Sequence, residues 1–169
     1  MRRARAAAHE LTTGDHHMYF EDLTEGAVYR TGSHLLTADE LREFAAAYDP
    51  QPMHLDRDFA ARGPFGDVIA SGFQTMALAW RLWAETGMGD HGRGGIALGD
   101  VRWHRPLYAG TELRSIVYIE NVRVTSRGKG AATMRFEVVD QDDRLLMEFA
   151  TTGLFARLAD EVDSLAVER

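Results

Sequence analysis

The stretch SGFQTMALAWRLWAETG, residues 71–87, is apolar around nearly the whole circumference of a helix, and this limits the possible folds most severely. Phe73, Met76, Ala77, Trp80, Trp83 and Ala84 recur at helical spacing and make one face, while Leu78, Ala79 and Leu82 fill much of the rest. Such a helix is expected to be surrounded by other elements, with Trp80 and Trp83 in the core. Its ends are marked in the sequence. Ser71 with Gln74 reads as a capping box, and Gly87 as a C-terminal stop.

The surrounding elements follow from periodicity. AVYRTGSHLL (27–36) alternates as a strand. Thr37 with Glu40 opens a helix whose apolar stripe is Leu41, Phe44, Ala45 and Tyr48, and Pro50 stops it near Asp49. From Gly94 onward come four strand-like segments at 95–106, 111–124, 131–139 and 144–156, the last two joined by the polar turn DQDD. Long strands in sequence predict an antiparallel meander. One strand, two helices and four strands give an α+β class: a curved antiparallel sheet wrapped around a central buried helix. Residues 1–18 are polar and aperiodic and are expected to be a tail; the domain is expected over 19–158, with an acidic C-terminal tail at 159–169.

A net charge of −7 argues against nucleic acid as a partner, and the lack of cysteine rules out disulfides and thiolate metal sites. No apolar run approaches the roughly 20 residues that span a bilayer. The N-terminal segment has no secretory apolar core, so a cytoplasmic location is expected.

The stretch YDPQPMHLD, residues 48–56, carries the chemistry. Pro50 and Pro52 remove backbone donors and constrain their predecessors, which predicts an irregular path that is neither helix nor strand. On that path stand a carboxylate, Asp49, and an imidazole, His54. An imidazole takes or gives a proton near neutral pH, and a neighbouring carboxylate fixes its tautomer or holds a water. Spacing alone favours the plainer reading, in which Asp49 ends a helix and His54 packs its ring. A second feature tips the balance. The apolar helix opens through Ser71-Gly72, where the first N–H groups lack internal partners and a glycine lets a ligand oxygen approach the backbone. That is how a polarised carbonyl is bound without charged side chains. Ser71 also suits a plain helix cap.

YDPQPMHLDRDFA, then VIASG, then GGIALGDVRWHRPLYAGTEL together resemble the MaoC-like dehydratases, hotdog-fold relatives of the R-specific enoyl-CoA hydratases. Asp49, Gln51, Pro52, His54 and Asp56 fall in the register of that family's Asp-x-Asn-Pro-x-His-x-Asp pattern, and the likeness runs from about Tyr19 to Phe155. The resemblance implies a single hotdog domain that adds water to a trans-2-enoyl-CoA thioester, or removes it from the 3-hydroxyacyl-CoA, with R configuration. Asp49 and His54 would hold the water, and the Gly72 N–H would bind the thioester oxygen. It implies an acyl-CoA substrate, no metal or redox cofactor, and a homodimer or a multiple of dimers. Two residues depart from the pattern: Gln51 stands in place of Asn, and Ser71 in place of the His that many relatives carry. Both border the site and bear on the substrate, as in a branch that acts on branched or dicarboxylic acyl-CoA esters.

Phe65, Phe73 and Met76 are candidate walls of an acyl pocket, with ordinary core packing equally open. Arg62, Arg93, Arg102 and Arg105 are candidates for the phosphates of coenzyme A. Gln51, Ser71, Arg102 and Arg105 complete the expected substrate-binding set. His9, His16 and His17 are read as solvated, Asp90-His91 as part of a glycine-rich loop, and His104 as a rim or surface residue. A hotdog thioesterase and a non-catalytic acyl-CoA-binding domain are the rival readings.

Overall fold

The computed structural model describes residues 9–10, 19–87 and 91–159. Its elements are β1 (His9–Glu10), a 3-10 turn (Phe20–Asp22), β2 (Val28–Leu35), α1 (Ala38–Tyr48), α2 (Pro52–Leu55), α3 (Arg57–Ala61), α4 (Gly72–Ala84), β3 (Gly92–Trp103), β4 (Glu112–Val124), β5 (Gly130–Asp140) and β6 (Leu145–Phe155). The predicted helices and long strands are present with ends shifted by a few residues.

The strands form one sheet in the order β1-β2-β4-β5-β6-β3. All pairings are antiparallel except the first, where His9 and Glu10 run parallel to Tyr29 and Arg30. Part of the segment expected to be a tail is therefore hydrogen-bonded into the sheet. The meander holds only for β4, β5 and β6. β3 does not pair with β4 but lies at the far edge against β6. Helix α4 spans the gap between β3 and β2: its first residue, Gly72, lies against Trp103 of β3, and Trp83 near its end lies against Tyr29 of β2.

Sheet and helix share one core. Val117, Ile119, Met134, Phe136, Val138, Met147 and Phe149 are buried on alternating positions of β4, β5 and β6. Trp83 of α4 sits edge-on to Phe136, with ring centroids 6.0 Å apart, and to Tyr29 at 6.1 Å. Phe136 stacks on Phe149 at 4.5 Å.

The inward face of α4 differs from the apolar stripe. Its buried residues are Gln74, Thr75, Ala79, Leu82 and Trp83. Phe73 is 60% exposed and Trp80 44%, so of the two tryptophans only Trp83 belongs to the core. Two polar side chains turn inward and donate to backbone carbonyls: Gln74 Nε2 to Glu40 O at 3.0 Å and Thr75 Oγ1 to Ser71 O at 3.3 Å, while Gln74 Oε1 is buried with no protein partner among the described residues. Gln74 thereby joins α4 to α1 instead of closing a capping box. The cap is Ser71 alone, whose Oγ accepts from Phe73 N. On α1, Leu41 and Ala45 are buried while Tyr48 faces solvent.

Residues 48–56 are also more regular than expected. Pro50 ends α1, but Pro52 sits at the first position of α2, a single helical turn. Proline is tolerated there because that N–H has no intrahelical partner, and its fixed φ suits a helix start.

Trp83→Ala removes the ring that joins α4 to Phe136 and Tyr29. It is expected to cost about 3–5 kcal/mol of stability, read as a lower urea midpoint with little change in slope.

Candidate active site

The end of α1 and the one-turn α2 place Asp49 and His54 against each other. Asp49 is the C-terminal cap of α1, its N–H bonded to Ala45 O at 2.9 Å. Gln51 N donates back to Asp49 O at 2.8 Å and His54 N to Gln51 O at 2.9 Å, which coils the chain tightly between the two. Asp49 Oδ2 and His54 Nε2 are 3.4 Å apart, and His54 is only 3% exposed.

The other ring nitrogen settles how the imidazole is used. His54 Nδ1 lies 2.8 Å from Ile69 O. A carbonyl oxygen only accepts, so Nδ1 carries the proton and donates. In neutral His54 the lone pair is then on Nε2, facing the Asp49 carboxylate. Two acceptors that face each other make a place for a molecule with two O–H groups.

Asp49 is held from two further sides. Gln51 Nε2 donates to Oδ1 at 2.7 Å, and Ser71 Oγ donates to Oδ2 at 2.6 Å. The Ser71 bond, then the Gln51 bond, hold the Asp49 pKa below the usual carboxylate range against the opposing effect of burial, with the nearby imidazole adding the smallest contribution. Asp49 is thus an anion across the neutral range. Because its pKa is depressed, the associated stabilisation is complete above the ordinary carboxylate pKa and is lost as pH falls through the lowered value.

Beside the pair lies a cavity of about 410 Å³. Asp49, Gln51 and His54 form one side, and Gly72, Phe73 and Thr75 from the start of α4 form another. Met53, Phe65, Ile69 and Leu107 supply apolar wall, and Trp103, His104 and Arg105 from the end of β3 close the third side. Gly72 is the first residue of α4, and its N–H has no intrahelical acceptor. A Cβ at this position would lie 2.4 Å from Trp103 Nε1, so only glycine fits with the indole in place.

The proposed residues divide into two groups. Asp49, His54, Gly72, Gln51, Phe65, Phe73 and Arg105 border the cavity. Ser71 is fully buried and stands behind Asp49, where it touches the carboxylate and not the cavity. Met76 packs against the core, and Arg102 pairs with Glu148 at 3.2 Å. Neither borders the cavity, nor do Arg62 and Arg93. Met76 does not reach the cavity because it is taken up in packing against the buried cluster. His104 does border the cavity and also lies 3.3 Å from Glu148. His16, His17 and Asp90 lie outside the described residues. Among the described residues, no group of three or more His, Asp or Glu is arranged to hold a metal ion, and no helix is long and apolar enough to cross a membrane.

Two contributors had no role assigned from sequence. Ile69 acts through its backbone carbonyl, which no residue pattern reveals. Trp103 sits within RWHRP, a stretch noted only for its likeness to relatives. The alternation of β3 does not foretell which of its side chains turns toward α4.

A curved sheet, a helix across it and a carboxylate–imidazole pair at the start of that helix define a single hotdog domain. The chain belongs to the family described as MaoC like domain, which residues 21–142 match. It is 31% identical to the uncharacterized protein YdeM of Bacillus subtilis over 141 residues, which is 83% of this chain and all of that one. It is 35% identical to 3-hydroxyacyl-thioester dehydratase Z of Mycobacterium tuberculosis over 102 residues, 59% of this chain and 68% of the relative. Among solved structures, the (R)-hydratase from A. caviae involved in PHA biosynthesis aligns with a TM-score of 0.64 and 26% identity, covering 79% of this chain and 97% of that one.

Ser71→Ala removes the largest influence on Asp49. The acidic limb of the kcat/KM profile for hydration is expected to move to higher pH, with about 1 kcal/mol lost from the cap as well. A pH–rate series run beside a melting curve separates the two effects. Gly72→Ala is expected to leave the melting temperature within a few degrees while abolishing most turnover, because the new methyl displaces the indole and narrows the approach to the amide.

Proposed function

We propose that this chain is an enoyl-thioester hydratase/dehydratase, interconverting a trans-2-enoyl-CoA and a 3-hydroxyacyl-CoA. The observation that carries this reading is the convergence of Asp49 and His54 on a cavity that the Gly72 amide also faces.

The chemistry follows from the donors and acceptors present. A water in the cavity donates one O–H to Asp49 and the other to His54 Nε2. The thioester oxygen sits at the start of α4, where the amide and the helix dipole favour negative charge. Carbonyl polarisation makes the β-carbon electrophilic. The water oxygen forms a bond to that carbon as the pair takes up its proton, and the π electrons move onto the carbonyl as an enolate. The same pair returns a proton to the α-carbon. Water is thereby added across the double bond without any change of oxidation state overall, so the step calls for no oxidant or reductant. The reverse sequence is dehydration.

The names of the dehydratase and (R)-hydratase relatives support the reaction class and the R configuration. Coenzyme A as carrier fits a cytoplasmic setting, with Arg105 at the cavity side available to an anionic carrier. A second copy of the chain is the proposed partner. β3 pairs on one side only, and its Ile96 and Leu98 are exposed, as are Phe73 and Trp80 on α4. Pairing two β3 edges would satisfy their backbone groups and cover apolar surface.

Crotonyl-CoA separates this reading from thioester hydrolysis and from binding alone. Loss of enoyl absorbance without free thiol is expected, together with a 3-hydroxybutyryl product of R configuration. Asp49→Asn and His54→Gln should each lower kcat by about 10²–10⁴-fold. Thiol release, or ligand binding with no turnover, would reject the assignment.

A further inference from the structure

We propose that the indole N–H of Trp103 is a second donor to the thioester oxygen, forming with the Gly72 amide a two-donor oxyanion hole. The proposal deepens the hydratase reading and rests on it for the identity of the acceptor.

Trp103 is the last residue of β3 and borders the cavity. Its indole approaches Gly72 with the nitrogen foremost: from the position of a Cβ on Gly72, Nε1 is 2.4 Å away, Cε2 2.7 Å and Cδ1 3.1 Å. A carbon–carbon bond of about 1.5 Å then puts Nε1 within about 4 Å of the Gly72 α-carbon and about 5 Å of its amide nitrogen. Two nitrogens no farther apart than that can share one oxygen placed about 2.9 Å from each.

Both donors are available. An indole N–H donates and cannot accept, and Trp103 is 53% exposed beside the cavity, so its N–H is open to a ligand. Among the described residues, nothing accepts from Trp103 Nε1, although its sequence neighbours are engaged: Arg102 and His104 both lie against Glu148, and Arg105 donates to Leu145 O. The Gly72 N–H likewise has no acceptor, while the next amide, Phe73 N, is taken by Ser71. The strand end holds the indole in place. Trp103 is in register with Met147 of β6, and His104 N bonds to Leu146 O at 2.8 Å. The donor is neutral, so it stabilises developing negative charge with no proton of its own to lose.

The test replaces Trp103 with benzothienylalanine, which keeps the ring size and puts sulfur where the N–H stood, and in parallel makes Trp103→Phe. Hexadienoyl-CoA is the probe, because its absorption moves to longer wavelength when its carbonyl is polarised. It is bound in an Asp49→Asn background so that it is not consumed. The red shift is expected with Trp103 and is expected to be largely lost in the isostere, at a hexadienoyl-CoA affinity within a few-fold. In the Asp49-containing protein the isostere should lower kcat for crotonyl-CoA about 10²-fold with KM little changed. A red shift that survives in the isostere overturns the proposal whatever happens to kcat, as does no red shift with Trp103 present. If the red shift depends on the indole N–H but crotonyl-CoA is not hydrated, the donor stands and the hydratase reading falls.

Discussion

The Ser71 hydroxyl is where fold and chemistry meet. It accepts from Phe73 N and so begins α4, and it donates to Asp49 Oδ2. The helix that spans the sheet and the carboxylate that ends α1 are therefore tied by one buried oxygen. Through it the helix start, with its free amide, is fixed relative to the base. His54 is fixed independently, by the carbonyl of Ile69 in the segment leading into the same helix. Remove Ser71 and two elements lose their common reference.

This arrangement also explains how a stretch with two prolines serves as a rigid platform. Pro50 cuts α1 at Asp49, and Pro52 restarts the helical turn that presents His54. Between them the backbone bonds from Gln51 to Asp49 and from His54 to Gln51 leave little freedom. Gln51 lays its side-chain amide on Asp49 Oδ1. Its side chain steadies the base as well as bordering the cavity.

The parts legible in the sequence were those written in local chemistry. Thr37 and Glu40 do form the capping box that opens α1, and the alternation of β4, β5 and β6 does place their apolar side chains inward. Asp49 and His54 could be paired only once the Ser71-Gly72 helix start and the likeness to the family pattern were added, since their spacing alone did not require it. What escaped were choices made between elements. The apolar stripe of α4 pointed to Phe73 and Trp80 as part of its inner face, yet the helix exposes them and turns Gln74 and Thr75 inward, where they donate to Glu40 O and Ser71 O. Which strand β3 pairs with is a long-range choice that periodicity does not encode. Ser71 carried a signal for its cap and none for its second bond, since the acceptor lies 22 residues away in the chain.

The aromatic part of the cavity wall has little share in holding the molecule together. Phe65 and Phe73 are 41% and 60% exposed and belong to no buried cluster, whereas Ile69 and Leu107 of the same wall are buried and Asp49, Ser71 and His54 are fastened to the framework. Mutation of those two rings can therefore reshape the cavity at small thermodynamic cost while the polar groups stay where they are. A lineage built this way is free to vary what the cavity admits, one aromatic at a time, without losing its fold.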